Sequence, residues 1–290
     1  MHVSPWIDRK EYPFKSHLLE LEMGTMHYVD EGEGEPIVMV HGNPTWSFVY
    51  RHLIKKLSKN YRCIAMDHIG FGLSDKPGNW SYYPEDHAKN LKALIERLNL
   101  KEITLVVQDW GGPIGISYAV SKPENVKRLI ILNTWMWPVH GDPHYERFSK
   151  FMGGAIGRFL IRRFNFFVRV VMKKAMGDPS KLTAPVHQHY LKALEKAEER
   201  RGCWTFPKQI LDSGAWLDSL WSQRDKIKDK PALIFWGMKD IAFREKELTR
   251  WTSLFRNSTV IRYADAGHFL QEEKGIEMYP LIEDFLKNHG

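Results

Sequence analysis

The run Ile103-Thr104-Leu105-Val106-Val107-Gln108-Asp109-Trp110-Gly111-Gly112 decides how this chain folds. A strand of apolar and β-branched residues runs into an acidic residue, and two glycines follow at the start of a helix. A join this abrupt is a tight turn. Small residues must flank it, and the side chain at its apex is pushed out above the sheet. The helix beyond supplies backbone N–H groups and a dipole that favours negative charge. Asp109 can also be read as a plain helix N-cap, so the rest of the chain has to decide between the two readings.

Outward from this turn, short apolar runs alternate with amphipathic stretches, the pattern of βα units around a largely parallel sheet. Leu18–Glu22 and Met26–Val29 read as an antiparallel pair turned at Gly24, and Pro36–Val40 as a strand buried on both faces. Ile64–Met66, Leu129–Leu132, Ala232–Trp236 and Thr259–Tyr263 are the further strands around Ile103–Val107. Helical spacing covers Trp46–Leu57, Pro84–Leu98, Gly111–Val120, Glu245–Phe255 and Ile276–Asn288. Between about Trp137 and Arg224 the rhythm breaks into a mostly helical stretch rich in Phe, Trp and basic residues. The expectation is an α/β fold: a mostly parallel, eight-stranded sheet flanked by helices, with residues 1–136 and 225–290 as the core and 137–224 as an inserted helical cap. There is no internal repeat or low-complexity segment.

The bulk numbers agree with one globular α/β unit carrying an insertion. The chain has 290 residues, 43% hydrophobic and 27% charged. The net charge is +7, which reads as a solvated basic surface. No zinc-finger spacing, RNP-like aromatic motif or long Lys/Arg run points to nucleic acid. The two cysteines, Cys63 and Cys203, do not make a disulfide framework. Met1–Lys10 has no apolar signal-peptide region, and no stretch reaches the roughly 18–20 apolar residues of a membrane span. A cytoplasmic protein without integral membrane segments is the expectation.

Chemistry gathers at strand ends. No Gly-x-Ser-x-Gly occurs; the nearest decoy, Gly115-Ile116-Ser117-Tyr118-Ala119, lies inside the helix and not at its corner. The nucleophile at the turn is therefore a carboxylate, Asp109. His268, in Ala264-Asp265-Ala266-Gly267-His268-Phe269 after the last strand, falls where the order nucleophile–acid–histidine requires a base. The acid that orients it is Asp240, after the seventh strand. The rival position after the sixth carries Leu132-Asn133-Thr134, which has no carboxylate, and Asn133 is expected beside the acid.

His41-Gly42-Asn43-Pro44-Thr45-Trp46, Asp109-Trp110-Gly111-Gly112, Gly237-Met238-Lys239-Asp240 and Asp265-Ala266-Gly267-His268-Phe269 together resemble the haloalkane dehalogenases of the α/β-hydrolase fold, and among them the third subfamily. The resemblance covers nearly the whole core and is weakest in the cap. It implies that Asn43 and Trp110 grip the departing halide through side-chain N–H groups, and that their backbone N–H groups form the oxyanion hole. It implies a small halogenated hydrocarbon as substrate, with water and halide ion as the other participants. Asp109 attacks carbon in an SN2 step to form an alkyl ester, and His268 activates the water that hydrolyses it. The scheme needs neither metal nor organic cofactor.

Three other readings stay beside this one. Epoxide hydrolysis uses the same Asp–His–Asp set but needs cap acids, for which Tyr145 and Tyr190 are the candidates. A coelenterazine-type monooxygenase would need an acid where Asn133 stands, and a non-catalytic binding protein would have no use for an intact triad. Separately, the segment from Arg147 to Lys174 holds eight Lys and Arg and no Asp or Glu, interleaved with Phe148, Phe151, Phe159, Phe164, Phe166 and Phe167. Cap helices with aromatics toward the pocket and bases toward water explain it. The alternative to that ordinary reading is a sticky basic-apolar surface that drives self-association or weak binding to anionic membranes.

Overall fold

The computed structural model describes residues 5–290; Met1–Ser4, part of the N-terminal stretch read above, lie outside the described residues. Eight strands form one sheet: β1 (Ser16–Leu21), β2 (Gly24–Glu31), β3 (Pro36–Val40), β4 (Arg62–Met66), β5 (Ile103–Asp109), β6 (Val126–Thr134), β7 (Ala232–Gly237) and β8 (Thr259–Tyr263). Their order across the sheet is β1-β2-β4-β3-β5-β6-β7-β8. β2 is antiparallel to β1 and β4, and every other pairing is parallel. The central strands are apolar on both faces because helices cover both; β3 to β7 are almost wholly buried.

The core helices are α1 (Arg51–Leu57, entered through a 3₁₀ turn at Ser47–Tyr50), α2 (Pro84–Arg97) and α3 (Gly111–Ser121). Between β6 and β7 come α4 (Pro143–Met152), α5 (Ala155–Phe164), the short α6 (Met172–Lys174) behind a π turn, α7 (Ala184–Ala193), α8 (Arg201–Asp212) and α9 (Gly214–Ser222). The chain ends with α10 (Glu245–Leu254), β8 and α11 (Leu270–Asn288).

Two elements run further than their apolar pattern indicates, for one reason: buried charge with a partner. β6 begins at Val126 because Arg128, fully buried, donates to Thr104, to the carbonyl of Leu286 and to Glu35. α11 begins at Leu270, six residues ahead of Ile276, because Glu272 and Glu273 point inward. Glu272 accepts from the two terminal guanidinium nitrogens of Arg51, at 2.5 and 2.7 Å. Glu273 accepts the backbone N–H groups of Gly267, Gly177 and Asp178 at 2.8, 3.1 and 2.7 Å. That one carboxylate ties the loop after β8 to the loop after α6.

Candidate active site

The turn after β5 is built as its sequence demands. Asp109 sits at φ 49°, in the left-handed region that lifts its side chain off the sheet. Its neighbours have no room for a side chain. A Cβ on Gly112 would stand 1.8 Å from Thr134 Oγ1, and one on Gly42 would stand 2.3 Å from Asp109 Oδ1. Thr134 Oγ1 donates to the carbonyl of Asp109 at 2.5 Å and holds the turn against β6.

The carboxylate has two differently occupied oxygens. Oδ1 accepts the backbone N–H of Asn43 at 2.7 Å, and the Trp110 N–H lies near enough to favour the charged carboxylate as well. Oδ2 lies 3.6 Å from His268 Nε2. Burial pushes the Asp109 carboxyl above its usual range; the His268 ring and the two backbone N–H groups offset only part of that. A desolvated carboxylate is a stronger nucleophile than a hydrated one, which suits attack on carbon.

His268 is 4% exposed and held from three sides. Its Nδ1 is 2.9 Å from Asp240 Oδ2. Its backbone N–H donates to the carbonyl of Ala175 at 2.8 Å, and Phe243 stacks on the ring at 5.6 Å. With Nδ1–H donating to the carboxylate, Nε2 is left as the unprotonated nitrogen, 3.6 Å from Asp109 Oδ2. Burial disfavours the imidazolium, but Asp240 and Asp109 outweigh it, and the pKa lies above the ordinary histidine value. Asp240 is itself held: Asn133 Nδ2 donates to its Oδ2 at 2.8 Å and the Ala242 N–H to its Oδ1 at 2.6 Å. Asn133 is thus beside the acid, where the sequence puts it. Its own oxygen accepts the Gly237 N–H at 2.7 Å.

Asn43 and Trp110 line the same cavity as Asp109 and His268, a space of about 100 Å³. The Asn43 side-chain N–H₂ has only a long contact, 3.4 Å, to the carbonyl of Cys203. Trp110 is fixed by a stacked Phe206 at 5.2 Å and an edge-on Trp135 at 4.6 Å. The other walls are mostly apolar, with Phe148, Phe167, Val171, Ala175, Pro207 and Ile210; His144 and Tyr145 add the polar groups there. Four of the five site residues expected from sequence therefore line one cavity, and the fifth, Asp240, stands behind His268 on its Nδ1. Among the described residues, no group of three or more His, Cys, Asp or Glu could hold a metal ion.

The two tyrosines have different fates. Tyr145 lines the cavity. Tyr190 is fully buried elsewhere, with its hydroxyl donating to Glu272, already paired to Arg51. The pair of cap acids that epoxide opening needs is not assembled.

Sequence reasoning missed Gln108. The residue before the nucleophile is wholly buried, and its side-chain N–H₂ contacts His268 Nε2 at 3.0 Å and the His268 carbonyl at 3.2 Å. The carbonyl fixes which end of the amide faces the ring, since its own oxygen would repel it. Nothing local marks a strand-end glutamine as a partner of a histidine 160 residues away. Glu273 was missed for the same reason. Trp135 is a third: its indole N–H is buried at the cavity wall without a partner.

Comparison with known proteins places the fold and the family. The family model described as alpha/beta hydrolase fold matches residues 35–275. The chain is 37% identical to haloalkane dehalogenase 2 of Mycobacterium tuberculosis over 268 residues, 92% of this chain and 93% of that one. It is 35% identical to the cis-3-alkyl-4-alkyloxetan-2-one decarboxylase of Shewanella oneidensis over 283 residues, 94% and 89% of the two chains. Among solved structures, haloalkane dehalogenase DbeA from Bradyrhizobium elkani superposes with a TM-score of 0.83 at 25% identity, covering 95% of this chain and 99% of that one. The family model spans most of the chain and the dehalogenase relative nearly all of it, so the chain belongs to the haloalkane dehalogenase family of the α/β hydrolases.

Proposed function

We propose that this enzyme hydrolyses the carbon–halogen bond of small haloalkanes to alcohol, halide and a proton, with Asp109 as covalent nucleophile. The observation that carries the reading is the divided carboxylate of Asp109: one oxygen is held by the Asn43 N–H at 2.7 Å, and the other is 3.6 Å from His268 in an apolar cavity.

Asp109 Oδ2 attacks the halogen-bearing carbon from behind. The C–O bond forms as the C–X bond breaks, and the halide leaves with the electron pair. The side-chain N–H groups of Asn43 and Trp110 donate to the charge growing on the halogen, where a water-poor pocket makes such donors count most. The product is an alkyl ester of Asp109. His268 Nε2 then takes a proton from water, and the hydroxide adds to the ester carbon. The backbone N–H groups of Asn43 and Trp110 hold the oxyanion, Oδ1, as one of them already holds the carboxylate. Collapse expels the alcohol, which takes up the proton from His268, and the regenerated Asp109 acid ionises. Asp240 orients the ring and stabilises its cation. Residues 137–224 act as the cap that closes the cavity, over a core formed by 1–136 and 225–290.

A second reading rests on the oxetanone decarboxylase relatives, 34% to 35% identical over 94% to 96% of the chain. A strained cyclic ester also offers Asp109 an electrophilic carbon. A ring carrying two alkyl chains needs more room beside Asp109 than a small haloalkane does.

Halide release from 1-bromobutane by the wild type and by Asp109→Ala tests the reading. Release by the wild type alone supports it. No release, with alkene formed from a cis-dialkyl oxetanone or diol from styrene oxide, moves the assignment to that chemistry.

A further inference from the structure

The segment from Arg147 to Lys174 concentrates the charge of the molecule. Of the chain's 42 Lys and Arg, eight lie here, and of its 35 Asp and Glu, none do, so the rest of the chain is close to neutral. Among the described residues, only Lys150 has a carboxylate partner, Glu146. Arg158 and Arg163 instead lie over aromatic rings, Trp204 and Phe164.

The same helices expose apolar bulk. Phe151 is 50% exposed on α4, and Ile156, Phe159 and Phe164 are 66%, 59% and 50% exposed on α5. On α5, Gly157 and Ile161 face inward, while Ile156 and Phe159 stand with Arg163 on the outer side. An amphipathic helix of a globular protein turns its large apolar residues inward. α5 keeps a small inward stripe and presents its largest side chains, fringed by arginine, to the outside. That is the layout of a helix lying in a membrane interface, with rings among the acyl chains and guanidinium groups at the phosphates.

We propose that α4 and α5 form a docking surface for an anionic lipid bilayer. Charge complementarity selects this occupant over a second copy of the chain. An isologous contact of α4 and α5 would set the five positive charges Arg147, Lys150, Arg158, Arg162 and Arg163 against five more, with Glu146, already paired to Lys150, the one acid on each side. An anionic leaflet offers negative charge across the whole patch, and basic residues near its surface attract it within a Debye length. Among the described residues no helix is long and apolar enough to cross a membrane, so the contact is peripheral. The surface adjoins the catalytic cavity: Phe148 on α4 lines that cavity and is itself 36% exposed. An apolar substrate dissolved in the bilayer thus reaches the cavity beside the docked face. The docking inference stands independently of the reaction proposed above.

Co-sedimentation with vesicles tests it, using the intact chain with phosphatidylcholine alone and with about a third phosphatidylglycerol. The expected result is binding to the anionic vesicles only, lost as salt rises from about 0.1 to 1 M. Ile156→Ser with Phe159→Ser should weaken binding about tenfold or more, and Arg162→Glu with Arg163→Glu should weaken it at least as much. Neither pair lines the cavity, and an unchanged circular dichroism spectrum and thermal midpoint report that the variants are folded. Equal binding to both vesicles, no binding to either, or a dimer at low salt that the serine variants dissolve would each overturn the proposal.

Discussion

The floor and the walls of the cavity are made of different chemistry. On the floor, at the ends of β3, β5, β7 and β8, Asp109, Asp240 and His268 are each held by at least two partners at hydrogen-bond distance or close to it. The walls from the helices between β6 and β7, among them Phe148, Phe167, Val171, Pro207 and Ile210, are mostly apolar, with His144 and Tyr145 the exceptions. The difference teaches where each kind of information resides. Groups that must sit within a fraction of an ångström of the reacting atoms are carried on strand ends, and groups that only exclude water and set size are carried on an inserted layer of helices.

If that division is right, substitutions on the floor cost orders of magnitude and those on the walls redistribute substrates. The largest effect is expected from Asp109→Ala, which should reduce halide release by about 10⁴-fold or more, with haloalkane still bound. Asp240→Asn should follow, at about 10³–10⁴-fold, because an amide no longer fixes the Nδ1–H tautomer; a smaller loss would mean that Asn133 or solvent orients the ring. Trp110→Phe keeps the stack on Phe206 and deletes one donor, for a loss of about 10²–10³ in kcat with dehalogenation rather than ester hydrolysis slowed. Gln108→Leu should act through His268. The Gln108 N–H favours the neutral ring by donating to Nε2, so its loss raises the histidine pKa further. His268 must be neutral to accept a proton, so activity falls as pH drops through that pKa. The wild-type acid limb therefore lies above the usual histidine value of about 6.5 and moves higher in Gln108→Leu, at unchanged KM. The smallest effect is expected from Phe148→Ala, which should change kcat less than about tenfold and shift preference toward longer chains. A loss there as large as that of Trp110→Phe would break the division.

How much could be read in advance follows the same line. The turn at Asp109 was legible because its geometry tolerates only small neighbours, and Gly111 and Gly112 are written beside it. His268 and Asp240 were legible because each sits just past a short apolar strand. Arg128, Glu272 and Glu273 were not: their burial depends on partners distant in sequence, so each looks like a surface charge and clips the element that holds it. The cap was least legible. Phe148, which lines the cavity, Phe167, which is buried there, and Phe159, which faces out, stand in one basic, aromatic-rich stretch. Only the packing of α4, α5 and the π turn at Phe167–Val171 tells them apart.

The central claim is that Asp109 is alkylated and His268 is needed only afterwards. Intact-mass measurement of His268→Phe after incubation with 1-bromobutane tests it most directly. The account predicts one butyl group added per chain, mapped to the peptide holding Asp109, with one equivalent of bromide released and no turnover. An unmodified His268→Phe protein, or one alkylated elsewhere, would contradict it.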